Sequence, residues 1–259
     1  MLLLRQMGLN ATEGRRIPRE VEAVATRIRQ ARSILAITGA GVSAESGVLT
    51  FRGSEGLWRQ FRPEELATPE AFERDPRLVW EWYAWRRERI HPLAPNAAHR
   101  ALALLEAYAP DFLLATQNVD GLHARAGSRR VAELHGSLWR LRCTGCGQIT
   151  EDRRVPLPEL PPLCTCGARL RPDVVWFGEA LPEQALASAF DAARNSDLVL
   201  VVGTASVVYP AAALPQVARQ EGAFVVEVNP DVTPLTSSCD VSIRGKAADV
   251  VPALVEGAR

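Results

Sequence analysis

A run of apolar residues, Ile34-Leu35-Ala36-Ile37-Thr38, ends abruptly in Gly39-Ala40-Gly41-Val42-Ser43-Ala44. A strand-forming stretch followed by G-x-G-x-x-G/A constrains the fold more than any other feature of the chain. Small residues at these positions let a tight turn bring backbone N–H groups against a pyrophosphate, at the start of the helix that follows. Alone, the pattern is a weak signal. In a nicotinamide dehydrogenase the helix would lead into a second strand ending in Asp or Glu, roughly 20 residues on, to hold the ribose. Here Gly47 to Gly56 carries three glycines with Phe51 and Arg52 and no apolar run. The reading is a phosphate turn followed by a flexible cover, in a dinucleotide site whose chemistry is not hydride transfer.

The rest of the chain alternates helical and strand patterns. Val21, Val24, Ile28 and Ala31 recur at helical spacing before the first strand. Pro95-Asn96 opens an Ala/Leu-rich helix to Tyr108, and Phe112 to Thr116 follows as a strand. Leu198 to Val202, a helix near Ala211 to Gln220, Phe224 to Val228, Val241 to Ile243 and a closing helix complete the series. Strands separated by helices imply a doubly wound parallel sheet, an α/β Rossmann-like fold. In such sheets ligands bind outside the carboxyl ends of the strands. Four ends read Thr38-Gly39-Ala40-Gly41, Gln117-Asn118-Val119-Asp120, Gly203-Thr204-Ala205-Ser206 and Asn229. Strands commonly end in turn residues, but four polar or glycine-rich ends together describe one ligand-lined rim.

Composition narrows the partners. The 259 residues suffice for one large domain carrying an insertion, and 30 basic residues balance 30 acidic ones. No basic field therefore argues for nucleic acid or anionic lipid. No apolar stretch approaches the roughly 20 residues of a membrane span. Met1-Leu2-Leu3-Leu4 is cut short by Arg5 and does not read as a secretory signal, residues 1–19 read as a loose tail with Met7 an alternative start, and a cytoplasmic location is expected. Lys246 is the only lysine among the basic residues, an arginine bias that fits GC-rich coding.

Residues 136–175 break the alternation. Cys143-Thr-Gly-Cys146-Gly and Cys164-Thr-Cys166-Gly are two close pairs separated by seventeen residues. In a reducing compartment such pairs are zinc ligands more often than disulfides, and four thiolates make a closed, structural site. The C-x-C pair is tighter than the usual C-x2-C, and reduced cysteines without metal are the alternative. Cys239 reads as a small packed side chain rather than a nucleophile. His135, after the strand-like Val131 to Leu134, has the chemistry of a general base near neutral pH, and gains weight from Asn118 and Asp120 on the same rim.

Taken in order, Gly39 to Gly53, Thr116-Gln117-Asn118-Val119-Asp120-Gly121-Leu122-His123, His135-Gly136, the cysteine pairs, Val174-Val175-Trp176-Phe177-Gly178-Glu179 and Gly203-Thr204-Ala205-Ser206 resemble the sirtuins, NAD-dependent protein deacylases. The resemblance runs from about Val21 to the C-terminus. It implies that NAD is a co-substrate: acyl-lysine displaces nicotinamide from the ribose, His135 activates the ribose 2′-hydroxyl, and lysine and O-acyl-ADP-ribose are released. It further implies that Asn118 and Asp120 position ribose and nicotinamide, with Gln117 at the ribose. Gly39, Ala40, Gly41, Glu45, Thr50, Val119 and Gly203 fall in its cofactor segments, and Phe51, Arg52 and Trp58 in its cofactor cover. Thr204, Ala205, Ser206, Asn229 and Ala247 fall where the adenosine half is held. Val175, Phe177, Gly178 and Glu179 fall where substrate peptide adds as a strand. Two departures are a Leu49 where many relatives have proline and an Ala205 replacing a common serine.

Tyr83 and Arg86, three apart in a helical stretch near Pro76 to Ile90, share one helical face. Beside Arg87 and Arg89, the ordinary reading of such an arginine is a solvated face. Tyr-x-x-Arg at this place nevertheless resembles the sirtuin class that removes succinyl, malonyl or glutaryl groups, where Arg pairs with the distal carboxylate and Tyr adds a hydrogen bond. Ala67 resembles the small residue that leaves room for the longer chain.

The expected organisation is an NAD-binding domain from residues 20–53, 95–135 and 176–259, a helical acyl-pocket module at 54–94 and a zinc module at 136–175. The expected partners are acyl-lysine proteins. A dehydrogenase lacks its acidic strand end, and a zinc-ribbon nucleic-acid module lacks a basic field, because Glu151, Asp152 and Glu159 dilute Arg140, Arg142, Arg153 and Arg154. A protein ADP-ribosyltransferase shares the first chemical step and stays as the alternative.

Overall fold

The computed structural model describes residues 19–50 and 62–259. Phe51, Arg52 and Trp58, assigned above to a cofactor cover, lie outside the described residues, as does nearly all of the expected tail.

The central sheet has six strands, all parallel: β1 (Ser33–Thr38), β2 (Asp111–Thr116), β3 (Val131–Glu133), β7 (Leu198–Val202), β8 (Phe224–Val228) and β9 (Val241–Ile243). Their spatial order is β3-β2-β1-β7-β8-β9, the doubly wound arrangement in which strand order reverses between β1 and its neighbour β7. Continuous apolar runs make these strands because both faces are covered. In β1, Ile34 and Ala36 face one side, with α1 (Arg19–Gln30), α5 (Ala97–Tyr108) and α9 (Ala247–Gly257), while Leu35 and Ile37 face α7 (Glu183–Asn195) and α8 (Leu214–Gln220) on the other. β7 alternates in the same way: Leu198, Leu200 and Val202 against Val199 and Val201.

Between β1 and β2 the chain forms α2 (Pro63–Leu66), α3 (Pro69–Arg74) and α4 (Pro76–Ile90), and between β2 and β3 the short α6 (Leu122–Ala126). Between β3 and α7 it forms a three-stranded antiparallel sheet, β5-β4-β6, from β4 (Gly136–Cys143), β5 (Ile149–Glu151) and β6 (Leu170–Val174). The two insertions bury one common core: Phe72, Val79, Trp80, Trp82 and Tyr83 pack with Leu138, Trp139, Leu141, Val174 and Trp176. The sheet's edge strand β6 holds Pro172, where a missing N–H costs no ladder bond.

Three details differ from expectation. The glycine turn leads into a seven-residue 3-10 helix, Ala40–Ser46, rather than an α-helix. The helix expected near Ala211 to Gln220 splits into a 3-10 turn, Ala211–Ala213, and α8, because Pro215 fits only a first helical turn. The helix α7 went unread: it buries only Ala189 and Ala193, too small to mark an apolar stripe.

Candidate functional site

The carboxyl ends of β1, β2, β7 and β8 open into one cleft of about 630 Å³, at the point where strand order reverses. Its wall takes in Gly39, Ala40, Gly41, Gln117, Asn118, Val119, Gly203, Thr204, Ala205, Ser206 and Asn229, together with Glu45, Thr50 and Ala247. The turn is tight because two glycines meet. Gly41 N–H donates to Gly203 O at 2.8 Å, and Gly203 sits at φ +60 where a Cβ would lie 2.4 Å from Val42 N. Gln117 Nε2 donates to Thr204 Oγ1, and Asn229 Nδ2 donates to the Thr204 carbonyl, so three strand ends brace one another. Ser206 takes a left-handed φ of 53, and its buried Oγ has no hydrogen-bond partner among the described residues. A strained backbone and an orphaned hydroxyl on a cleft wall are the marks of a place built to meet a polar ligand.

Deeper in the cleft, His135 Nδ1 lies 3.0 Å from the Gln117 carbonyl. A carbonyl only accepts, so Nδ1 carries the proton and Nε2 the lone pair. Burial lowers the His135 pKa, against the opposing pull of that carbonyl, and keeps the imidazole neutral. Asn118 lines the same cleft. Asp120 does not: among the described residues the cleft lining omits it, and it is buried one layer behind. Its Oδ2 accepts from Ser43 Oγ at 2.8 Å and its Oδ1 from Leu122 N–H at 2.8 Å. Ser43 Oγ in turn accepts from Asn118 Nδ2 and lies 3.2 Å from His99 Nε2. Because His99 Nδ1 accepts from Asn96 N–H, its Nε2 is the donor, and the serine hydroxyl uses its one proton and both lone pairs. Asp120 is thus joined to the cleft-lining Asn118 through Ser43. Burial raises its pKa, opposed by the Leu122 and Ser43 hydrogen bonds and by the Arg86 charge.

The opposite wall comes from the insertions. Ala67, Tyr83, Arg86, Val175, Phe177, Gly178 and Glu179 all line it. Tyr83 and Arg86 are buried, so the solvated-face reading fails. Tyr83 Oη accepts from Trp176 Nε1 at 2.9 Å and so keeps its own proton to donate, while burial pushes its pKa up to about 12. Arg86 lies 5.0 Å from the Trp82 ring and 5.8 Å from the Tyr83 ring. Arg87, next in sequence, is a different residue in function: it donates to the carbonyls of Leu138, Asp152 and Arg154 and pairs with Asp152.

Residues 175–179 are not a strand, since β6 stops at Val174. The N–H groups of Val175, Trp176 and Phe177 already donate to His135 O, Glu179 Oε2 and Ala67 O. An added peptide strand has to pair with the remaining backbone groups. Glu179 is fixed by a bidentate pair with Arg171 at 2.6 and 2.9 Å.

The four cysteines come together at the end of β4 and in the loop before β6, with sulfurs all within 4.8 Å of one another. Cys143 and Cys166 sulfurs are 3.4 Å apart, and Cys146 and Cys164 sulfurs 3.8 Å apart. A tetrahedral zinc with bonds of about 2.3 Å separates its sulfurs by about 3.8 Å, so the set fits that ion and leaves no open position. Backbone N–H groups of Cys146 and Gly145 point at Cys143 Sγ and lower its pKa. The short C-x-C spacing is no obstacle. Cys239 is packed, donates to Thr236 O, and has its pKa raised by burial, all unlike a nucleophile.

The Sir2 family pattern matches residues 39–210, which carry the glycine turn, the polar layer, the cysteines and the Gly203 end. The chain belongs to the Sir2 family. An "NAD-dependent protein deacylase" from Aquifex aeolicus is 55% identical over 217 residues, 83% of this chain and 91% of that protein. A solved Sir2 homolog–NAD complex is 50% identical with a TM-score of 0.87, covering 92% of this chain and 93% of the other. A Sir2 protein bound to a myristoylated histone peptide is 35% identical with a TM-score of 0.76, covering 93% and 97%.

Not singled out from the sequence of this Sir2 chain were Ser43, which connects Asn118 to Asp120, His99, which donates to Ser43, and Arg171, which holds Glu179. His99 carried a signal: Asn96 caps α5 and His99 stands three residues on, in the place of a capping-box partner. Ser43 lay inside the glycine motif, where its small size explained it. Residues Pro230 to Pro234, also on the cleft wall, carried no signal beyond a turn-forming composition.

Proposed function

We propose that this Sir2 chain is an NAD-dependent deacylase of lysine side chains in proteins, preferring acyl groups that end in a carboxylate. The observation that carries the deacylase reading is the neutral His135 with its lone pair on Nε2, in one cleft of about 630 Å³ with Asn118, which is tied to Asp120 through Ser43, and with both the strand-end residues Gly41 to Asn229 and the insertion residues Ala67 to Glu179. Bound NAD supplies a glycosidic bond whose leaving group is nicotinamide. Gly39, Ala40, Gly41 and Gly203 give the pyrophosphate close backbone, Gln117 offers a polar group to the ribose, and Thr204, Ser206 and Asn229 offer polar groups to the adenosine half. Asn118, held by Ser43, orients the ribose, and His135 Nε2 takes a proton from a ribose hydroxyl. Residues 20–53, 95–135 and 176–259 serve NAD, 54–94 the acyl group, and 136–175 carry a structural zinc that fixes the Val174–Glu179 wall.

The acyl preference rests on Tyr83 and Arg86: a phenol with a proton to donate and a buried guanidinium on the same wall as Ala67 suit a distal carboxylate. The relatives are named deacylases, which favours acyl removal over ADP-ribosyl transfer to protein. The test is incubation with NAD and matched acetyl-, succinyl- and myristoyl-lysine peptides, reading nicotinamide and O-acyl-ADP-ribose by mass spectrometry. ADP-ribose fixed on protein with no O-acyl product overturns the deacylase reading. Arg86→Met is expected to lower kcat/KM for succinyl-lysine by at least about 30-fold while acetyl-lysine turnover changes little; an unchanged ratio overturns the acyl preference alone.

A further inference from the structure

A second cavity, of about 190 Å³, lies behind the polar layer. Thr116, Asn118, Asp120, His123 and Ser128 line it, and exposed Arg129 marks where it reaches the surface. Asn118 lines both this cavity and the main cleft, so the two share that residue. Two buried polar atoms on its lining residues, His123 Nδ1 and Ser128 Oγ, have no hydrogen-bond partner among the described residues. His123 is 3% exposed and Ser128 6% exposed.

The tautomer of His123 follows from its neighbours. Thr38 Oγ1 donates to Thr116 Oγ1, so it accepts from His123 Nε2 at 3.0 Å. With the proton on Nε2, Nδ1 is an acceptor with nothing to accept from. An orphaned acceptor and an orphaned hydroxyl are each costly when dry, whereas a polar cavity of this size holds several waters making two to four hydrogen bonds each. The Asp120 carboxylate and the Thr116 hydroxyl supply the further partners such water needs. No aromatic ring lines the cavity except the His123 imidazole, which is already hydrogen-bonded, so it offers no stacking surface for a flat organic ligand.

We infer that this cavity is a hydrated chamber at the back of the reaction cleft, in which water bonded to His123 Nδ1 and Ser128 Oγ holds Asp120, and through it Ser43 and Asn118, in position. Water is the ligand, and His123 and Ser128 are positioning residues that act through it. The functional half of the inference rests on the deacylase reading; the hydration half does not.

A crystal structure of the full chain at a resolution that orders internal solvent is expected to show water within about 3.2 Å of His123 Nδ1 and Ser128 Oγ. A dry chamber overturns the inference, as does nicotinamide bound there after soaking. Ser128→Ala, which removes the hydroxyl and adds no bulk, is expected to lower kcat about 3- to 10-fold with KM for NAD unchanged, and Ser128→Thr to restore most of the loss. Equal losses in both variants, or a raised KM for NAD, point to packing alone and overturn the positioning role. If the wild type releases no nicotinamide, the deacylase reading fails, and the crystallographic water then decides the chamber by itself.

Discussion

His135 holds its proton on Nδ1 because a backbone carbonyl, not a carboxylate, is its partner. A carboxylate there would raise the imidazole pKa strongly; a neutral carbonyl orients the ring while raising it less, so that the unprotonated form stays populated. Since burial is the larger effect and lowers the pKa, the base form is populated at neutral pH and somewhat below. The acid limb of kcat/KM against pH is therefore expected below the ordinary imidazole value of about 6.5. His135→Ala is expected to reduce kcat by roughly 10²- to 10⁴-fold, with NAD affinity, read by calorimetry, nearly unchanged. A limb at or above 6.5, or a loss confined to NAD binding, assigns the proton transfer to another group. The same residue scale explains why Asp120 was misplaced. Its position four residues after Thr116 put it on the strand-end rim, but left-handed Gly121 turns the chain into α6 and the carboxylate folds back to cap it through Leu122 N–H.

Among the elements, α4 shows how far a run of like residues can diverge. Arg86, Arg87 and Arg89 read as one solvated stripe, yet Arg86 faces the cleft, Arg87 is buried against β4, and Arg89 is exposed over the Trp85 ring at 5.7 Å. Helical geometry alone sends successive residues 100° apart, and the inserted sheet, distant in sequence, decides which direction is buried. Arg87→Met is expected to lower stability by about 3 kcal/mol, because it leaves the carbonyls of Leu138, Asp152 and Arg154 without their donor, although the Asp152 carboxylate keeps Arg154 at 2.6 Å. Arg89→Ala is expected to stay within about 0.5 kcal/mol. Denaturant melts read both, and similar midpoints refute the division. The six-stranded sheet was legible because buried parallel strands are written as unbroken apolar runs, whereas β5 is exposed throughout and β6 contains a proline, so neither has a strand's pattern. That small sheet leans instead on its cysteines. Chelation is expected to release one zinc per chain, measured by plasma mass spectrometry, and to speed amide exchange in β4–β6 before the central sheet; metal-free protein with equal protection throughout rejects a structural zinc.

At the scale of the whole molecule, three histidines are packed neutral around one site. His99 is fully buried with its pKa lowered to about 4, by burial first and then by Arg100; His123, whose ring centre is 4.7 Å from that of His99, is lowered well below the ordinary value by burial and by His99; His135 is lowered as well. In the unfolded chain each recovers a value near 6.5. As pH falls below 6.5 the unfolded state binds protons that the folded state refuses, so stability declines until the folded groups also titrate. For His99 the shift from 6.5 to about 4 corresponds to about 2 kcal/mol lost at pH 5. His123 and His135 add to this loss. Asp120 opposes it in sign, because its pKa, raised by burial, lets the folded state take up a proton more readily than the unfolded chain does. The carboxylates of Asp152 and Glu179, whose pKa values are lowered by arginine partners despite burial, contribute stability that is lost only below the ordinary carboxylate range. Thermal melts between pH 7.5 and 5 are thus expected to show a falling midpoint, by about 4–8 °C for the His99 share alone. A His99→Gln variant is expected to flatten that slope even though it starts less stable, since Gln keeps a donor for Ser43 but cannot bind the proton. A wild-type midpoint that does not move over this interval would mean that the polar layer admits charge in the folded state, and with it that Ser43 and Asn118 are not held by a neutral partner.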